Sequence, residues 1–344
     1  MSEHTRLLAE LRRDDEPSFG GKSASLGELM AAGIPVPPGF AVGVSAFAAH
    51  VAGVAPSPTS ILEGLDHEEL AALRSASARA SGAVAGAELP HEVAAEIRAR
   101  YASLGEGDPP VAVRSSALGE DSAEAAFAGQ QETFLWVRGA DAVVEAVRSC
   151  WASLYSAPAV AYRARLGDAA TAPAMGVAVQ EMIDAEVAGV LFTCNPVSGD
   201  PSTVAINASW GLGVGVVGGD VTPDDLLISK VTREVVRQTI AVKEVEHRPR
   251  ADGLGTEAVP VEAERAAASC LGEEQLGALI DLARLVERHF GGHQDVEWAL
   301  DREGSLFVLQ SRPVTAAGRG EKPAAPKGSS AIAMVMSTFG VEEK

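Results

Sequence analysis

The period of the hydrophobic positions changes several times along the chain, and each change predicts an element. From Pro109, PPVAVRSS is a short apolar run ending in polar residues, which reads as a buried strand; QQETFLWV alternates as a second. Val143, Val144, Val147, Trp151 and Leu154 recur at helical spacing and predict one amphipathic helix over 140–166. GVAVQEMI, AGVLFTCNP and STVAINASWGL read as further strands; TPDDLLISK then follows a glycine-rich loop, and after a charged stretch a helix is expected near 273–290. Upstream, PSFGGKSASLGELMAAGIPVPPGFAV reads as a glycine-rich loop, a helix from about Ser23 to Ala32 and a turn into a strand. Residues 55–108, rich in Ala, Ser and Glu, are expected to be helical and irregular. Strands and helices mix without a regular βαβ spacing, which predicts an α+β fold with mixed or antiparallel sheets.

The last patterned stretch, QDVEWALDREGSLFVLQSRP from Gln294, predicts a hairpin turning at Asp301-Arg302-Glu303-Gly304. With Arg302 and Glu303 at the centre, Val308 would face Glu297 and Gln310 would face Asp295. Glu297 and Gln310 would then be diagonal neighbours, with Cβ atoms roughly 7–8 Å apart. Val296, Trp298, Leu300, Phe307 and Leu309 would form the apolar seam of the other face. One face packs, and the other collects oxygen ligands and the Arg312 guanidinium.

Composition narrows the classes. The chain has 344 residues, 47% hydrophobic and 22% charged, enough for one large or two ordinary domains. A net charge of −19 argues against nucleic acid or an anionic membrane as the main partner, while leaving room for a local basic pocket. Three widely spaced cysteines, Cys150, Cys194 and Cys270, fit a reducing cytoplasm rather than a disulfide scaffold. The charged N-terminus has no secretory pattern, and no apolar run is long enough to span a membrane.

Candidate chemistry follows from short motifs. Gly21-Lys22-Ser23 matches the end of a P-loop, but Glu16 stands where the pattern needs glycine and no strand precedes it. Lys22 is then either a solvated lysine or a mobile charge that reaches phosphate. GLGVGVVG has dinucleotide-binding glycine spacing, yet GDVTPDD follows where a helix should open. Arg114 ends an apolar strand beside two hydroxyls, placed to clamp a phosphate or to pair with Glu120, Asp121 or Glu124. Gly129 and Thr133 offer backbone amides and a hydroxyl to phosphate, and Gln180-Glu181 could read an adenine edge. His289 and His293 are spaced as metal ligands, but Gly291 and Gly292 interrupt the helix that would align them.

Taken in order, five segments resemble the N-terminal nucleotide-binding domain shared by pyruvate phosphate dikinase, phosphoenolpyruvate synthase and rifampicin phosphotransferase, an ATP-grasp-type fold. They are GGKSASLGELMAAGIPVPPGFAV, VAVRSSALGEDSAEAAFAGQQETFLWV, AVQEMIDAEVAGVLFTCNPVSGD, WGLGVGVVGGDVTPDD and QDVEWALDREGSLFVLQSRPVT, spanning Phe19 to Thr315. The resemblance implies two lobes, 1–190 with a helical insert at about 55–108 and 191–315, followed by a flexible tail over 316–344. It implies Lys22 and Arg114 on ATP phosphates, Gly129 and Thr133 at the phosphate end, and Gln180 and Glu181 facing adenine. Glu297 and Gln310 would hold Mg²⁺, and Arg312 would contact the terminal phosphates.

Carried over, this implies an ATP-dependent phosphotransferase with nucleotide between its lobes. The family's phosphocarrier histidine, in a TSHAA-like context, has no match in this sequence. The expected acceptor is therefore a histidine on a separate protein or a small molecule. Two other classes stay open: an ATP-grasp ligase that makes an acyl phosphate, and a non-catalytic nucleotide-binding subunit.

Overall fold

The computed structural model describes residues 4–65, 69–118, 132–165 and 173–314. Two compact units divide the chain: Met1–Glu28 with Pro38–Met182 and Gly253–Gly255, and Leu29–Pro37 with Ile183–Asp252 and Thr256–Lys344. The expected tail over 316–344 lies outside the described residues.

The first unit is built on strands β1 (Thr5–Leu7), β2 (Gly39–Val42), β3 (Val111–Ala117), β4 (Thr133–Val137) and β5 (Met175–Glu181). They form an antiparallel sheet in the order β1-β2-β5-β3-β4. Alternation along these strands sends Phe40, Val42, Val111, Val113, Val177 and Val179 into one core with Val93, Ile97, Val143, Val147 and Trp151 of the helices. The other face carries small residues, because chain crosses it closely. A Cβ on Gly39 would stand 2.9 Å from the Leu8 side chain, and one on Gly176 would stand 2.2 Å from the Phe19 carbonyl oxygen.

The helices of this unit differ from their expected bounds. The stretch expected as one helix is two, Ala140–Ser153 and Ala157–Arg165. Pro158 sits at the start of the second, where its missing N–H costs nothing and its ring forbids continuation from the first. The helix expected from Ser23 begins at Gly21, and a short helix, Glu16–Phe19, precedes it. Helices Pro58–Leu62, Leu70–Gly86 and His91–Ala102 fill the Ala-rich stretch.

The second unit contains β6 (Ala185–Phe192), β7 (Thr203–Trp210), β8 (Asp224–Ser229), β9 (Val235–Thr239), β10 (Val245–Pro249), β11 (Thr256–Pro260), β12 (Gln294–Asp301) and β13 (Leu306–Pro313). Six form an antiparallel sheet in the order β13-β12-β6-β7-β8-β9, and β10 and β11 pair separately. Helix Glu273–Phe290 packs against β12, with acids in its first turn, Arg288 and His289 in its last, and Gly291 at φ 69° closing it.

β9, β10 and β11 occupy the stretch that reads only as charged. Its charges are internally compensated: Arg248 lies 2.9 Å from Glu246 and 3.2 Å from Glu186, and Arg265 lies 2.6 Å from Glu186. Lys243 is fully buried and meets Asp224 at 2.5 Å, while the amides of Ala241 and Cys270 donate to the same carboxylate. Cys150, Cys194 and Cys270 are free and buried. Among the described residues no helix is long and apolar enough to cross a membrane.

Candidate functional site

In the first unit the site starts at a helix junction. Gly20 turns between helices Glu16–Phe19 and Gly21–Ala31 at φ 83°, ψ 160°, a region open essentially to glycine alone. A Cβ there would stand 2.0 Å from the carbonyl oxygen of Ser116. This close approach lets the Ser23 amide donate to Ser116 Oγ at 3.2 Å and docks the helix N-terminus against the end of β3. Half-buried Lys22 therefore sits in the first turn of an eleven-residue helix, where the helix dipole favours an anion. The preceding helix, in place of a strand, removes the P-loop reading.

β3 supplies the next cation. Arg114 pairs directly with Thr133 of β4 and Ala178 of β5, so Arg114, Thr133 and Ser116 share one face. Gln180 pairs with Ala112, which puts it on that face roughly 7–8 Å diagonally from Arg114. Gln180 is 2% exposed, and its Nε2 has no hydrogen-bond partner among the described residues. Glu181, one step along, pairs with Val111 and points to the opposite face. Its N–H donates to the Pro38 carbonyl oxygen at 2.9 Å, and burial raises its carboxyl above the usual range. The structure thus brings together Arg114, Thr133 and Gln180, docks the helix that carries Lys22 at the end of the same strand, and separates the Glu181 side chain from them. Gly129 lies outside the described residues.

In the second unit the hairpin departs from the expected register. The loop holds Arg302, Glu303 and Gly304 between Asp301 and Ser305, with Gly304 at φ 83° and Asp301 Oδ1 accepting from the amides of Glu303 (3.0 Å) and Ser305 (2.7 Å). Trp298 consequently faces Val308. A bulge then inserts Leu309, so that Glu297 directly faces Gln310 and Asp295 directly faces Arg312. The diagonal pairing and the Val308–Glu297 partnership are corrected. The apolar seam is Val296, Trp298 and Leu300 with Leu306 and Val308, because the longer loop and the bulge displace Phe307 and Leu309 from it.

This register concentrates charge on one face. Arg312 donates from Nε and approaches with Nη2, both 2.8 Å from Asp295 Oδ2. Burial raises the Asp295 carboxyl above its ordinary range; Arg312 pulls it back, and the nearby Glu297 charge pushes it further up. Gln310 Oε1 is buried without a hydrogen-bond partner among the described residues. Two neighbouring carboxylates and an orphaned amide oxygen fit a hard cation with oxygen ligands. Among the described residues no group of three or more His, Cys, Asp or Glu could hold a metal, so phosphate and water oxygens would complete such a shell. His289 packs edge-on to Phe290, while His293 lies 2.7 Å from Glu287; the pair does not converge.

The glycine-rich segment after β7 makes a single helical turn, Val214–Val217, and enters β8, which runs antiparallel to β7. A dinucleotide turn needs a parallel βαβ unit, so that reading is excluded.

Residues 16–331 match the family model described as "Pyruvate phosphate dikinase, AMP/ATP-binding domain". The chain belongs to this family. Within its membership, the chain is 40% identical over 324 residues to a probable phosphoenolpyruvate synthase from Methanothermobacter thermautotrophicus, covering 92% of this chain and 47% of that protein. It is 41% identical over 317 residues to a rifampicin phosphotransferase from Streptomyces sp., covering 90% of this chain and 36% of that protein. It therefore spans less than half the length of these curated relatives. Among solved structures, a biotin carboxylase–β,γ-ATP complex from Campylobacter jejuni aligns over 94% of this chain and 46% of that one, at 13% identity and a TM-score of 0.34. That likeness is too loose to carry residue correspondence. Membership in the AMP/ATP-binding domain family rests on the sequence match, and the α+β architecture on the strands and helices themselves.

Proposed function

We propose that this member of the family binds Mg²⁺-ATP and acts as the nucleotide-binding part of a dikinase-type phosphotransferase. The observation that carries the reading is the β12–β13 face, where Glu297 meets the orphaned oxygen of Gln310 beside the Asp295–Arg312 pair. Bound there, Mg²⁺ would neutralise phosphate charge. Glu297 and Gln310 are the residues that would hold it.

The chain's own groups divide the remaining work. Gln180 offers its orphaned Nε2 as a donor to an adenine edge. Lys22, backed by its helix N-terminus, and Arg114 bind phosphate oxygens, and Thr133 adds a hydroxyl at the same end. Arg312 gives a guanidinium to the terminal phosphates while Asp295 fixes its orientation. Phosphoryl transfer asks mainly for positioning and charge neutralisation, which three cations and a metal site supply. The proposed acceptor is a phosphocarrier histidine or a small molecule.

ATP labelled at the β or γ phosphate, incubated with the protein and candidate acceptors, tests this reading. Wild type is expected to move label onto an acceptor or release AMP and phosphate, and Glu297→Ala or Arg312→Ala to lower turnover at least a hundredfold, about 2.7 kcal/mol or more. Formation of ADP with an amide, or full turnover in both variants, would sink it.

A further inference from the structure

Three buried oxygen atoms without partners gather on one face of the second unit's sheet. Gln310 Oε1 is one; Asn207 Oδ1 and Ser209 Oγ are the others, unpartnered among the described residues. The register runs Gln310–Glu297–Val190–Asn207 across β13, β12, β6 and β7, so all four side chains stand on the same face. With strands about 4.8 Å apart, the Cα atoms of Glu297 and Asn207 are roughly 10 Å apart, flanking Val190. Ser209 pairs with Ala188 in the adjoining row, beside Ala299.

Asn207 is 1% exposed, and its orientation is fixed by its own chemistry. Its Nδ2 donates to the Asp224 carbonyl oxygen at 3.5 Å, a group that can only accept, so the amide oxygen is the free end. The glycine-rich turn runs over this face: a Cβ on Gly213 would stand 3.5 Å from Ala188 Cβ, and Val216 packs with Val190 and Ala205. The site is thereby shielded from bulk water, which could otherwise satisfy these oxygens. Buried acceptors without donors are rare in native proteins, and several on one face point to a ligand that brings donors. A hydrated cation does so, because Mg²⁺ keeps several waters whose hydrogens point outward.

We infer that Asn207 is a further residue of the magnesium site, its Oδ1 accepting a hydrogen bond from an ion-bound water on the side of Glu297 away from Gln310. This rests on the reading of Glu297 and Gln310 as magnesium residues. Asn207 is a positioning residue: it orders the hydration shell and touches no reacting atom. Asp225, next along the same row, is occupied by Arg237 at 2.8 Å.

Mn²⁺ with a non-hydrolysable ATP analogue tests the assignment, with free Mn²⁺ read by electron paramagnetic resonance and folding by circular dichroism. Asn207→Leu is expected to weaken Mn²⁺ binding about tenfold while leaving metal-free analogue affinity unchanged. Asn207→Asp, which keeps an acceptor and adds charge, is expected to bind Mn²⁺ more tightly, and it decides the matter if the leucine variant does not fold. Wild-type Mn²⁺ affinity in Asn207→Leu, or unchanged or weaker affinity in Asn207→Asp, overturns the role of Asn207 and leaves the Glu297–Gln310 reading standing. Absence of nucleotide-dependent Mn²⁺ binding in wild type brings down both.

Discussion

Asp295 shows how one side chain ties stability to the site. Burial is the largest influence on it and raises its carboxyl, with Arg312 opposing and Glu297 reinforcing the rise. A raised folded value means the folded chain holds this proton more tightly than the unfolded chain does. The stability it contributes is complete below the ordinary carboxylate value and is lost as pH rises through the raised one, the reverse of a salt-bridged carboxylate's usual behaviour. Asp295→Asn removes that titration, so in urea denaturation the stability of wild type relative to the variant is expected to fall with rising pH across that window; a difference flat with pH contradicts the argument. The alternation of the sequence was enough to place Glu297, Gln310 and Arg312 on one polar face. It could not show the Leu309 bulge, since the run Leu306-Phe307-Val308-Leu309 is apolar throughout and reads the same in any register.

Helix Gly21–Ala31 makes the same point for a whole element. Its N-terminus is aimed by Gly20, whose backbone angles and 2.0 Å approach to Ser116 leave no room for a side chain. Gly20→Ala is expected to destabilise the protein by about 1–3 kcal/mol from backbone strain alone, read by urea denaturation. Wild-type stability would remove the argument that this junction fixes Lys22. Two glycines before Lys22 signalled a special backbone, but the junction partner, Ser116, is 93 residues from Ser23, a distance no local pattern reports. β10 and β11 were hidden for another reason: Glu246, His247 and Arg248 interrupt hydrophobic alternation, and the pairing of Arg248 with Glu186 and of Glu246 with Arg265 exists only after folding. By contrast, helix Glu273–Phe290 and the strands β3 to β7 carry strong patterns and were legible.

Across the whole chain, a net charge of −19 must accommodate a polyanionic nucleotide. The proposed answer is local: Lys22, Arg114 and Arg312 with a divalent cation offset the phosphates, and the acidic remainder makes metal-free ATP a poor ligand. Family membership supports ATP as the ligand, and the Glu297–Gln310 face supports the metal dependence. Calorimetric titration of the protein with ATP, with and without Mg²⁺, tests this most directly. ATP is expected to bind far more tightly with Mg²⁺ than without it, and that difference to be lost in Glu297→Ala; equal wild-type affinity with and without the metal, or no wild-type binding in either case, would contradict it.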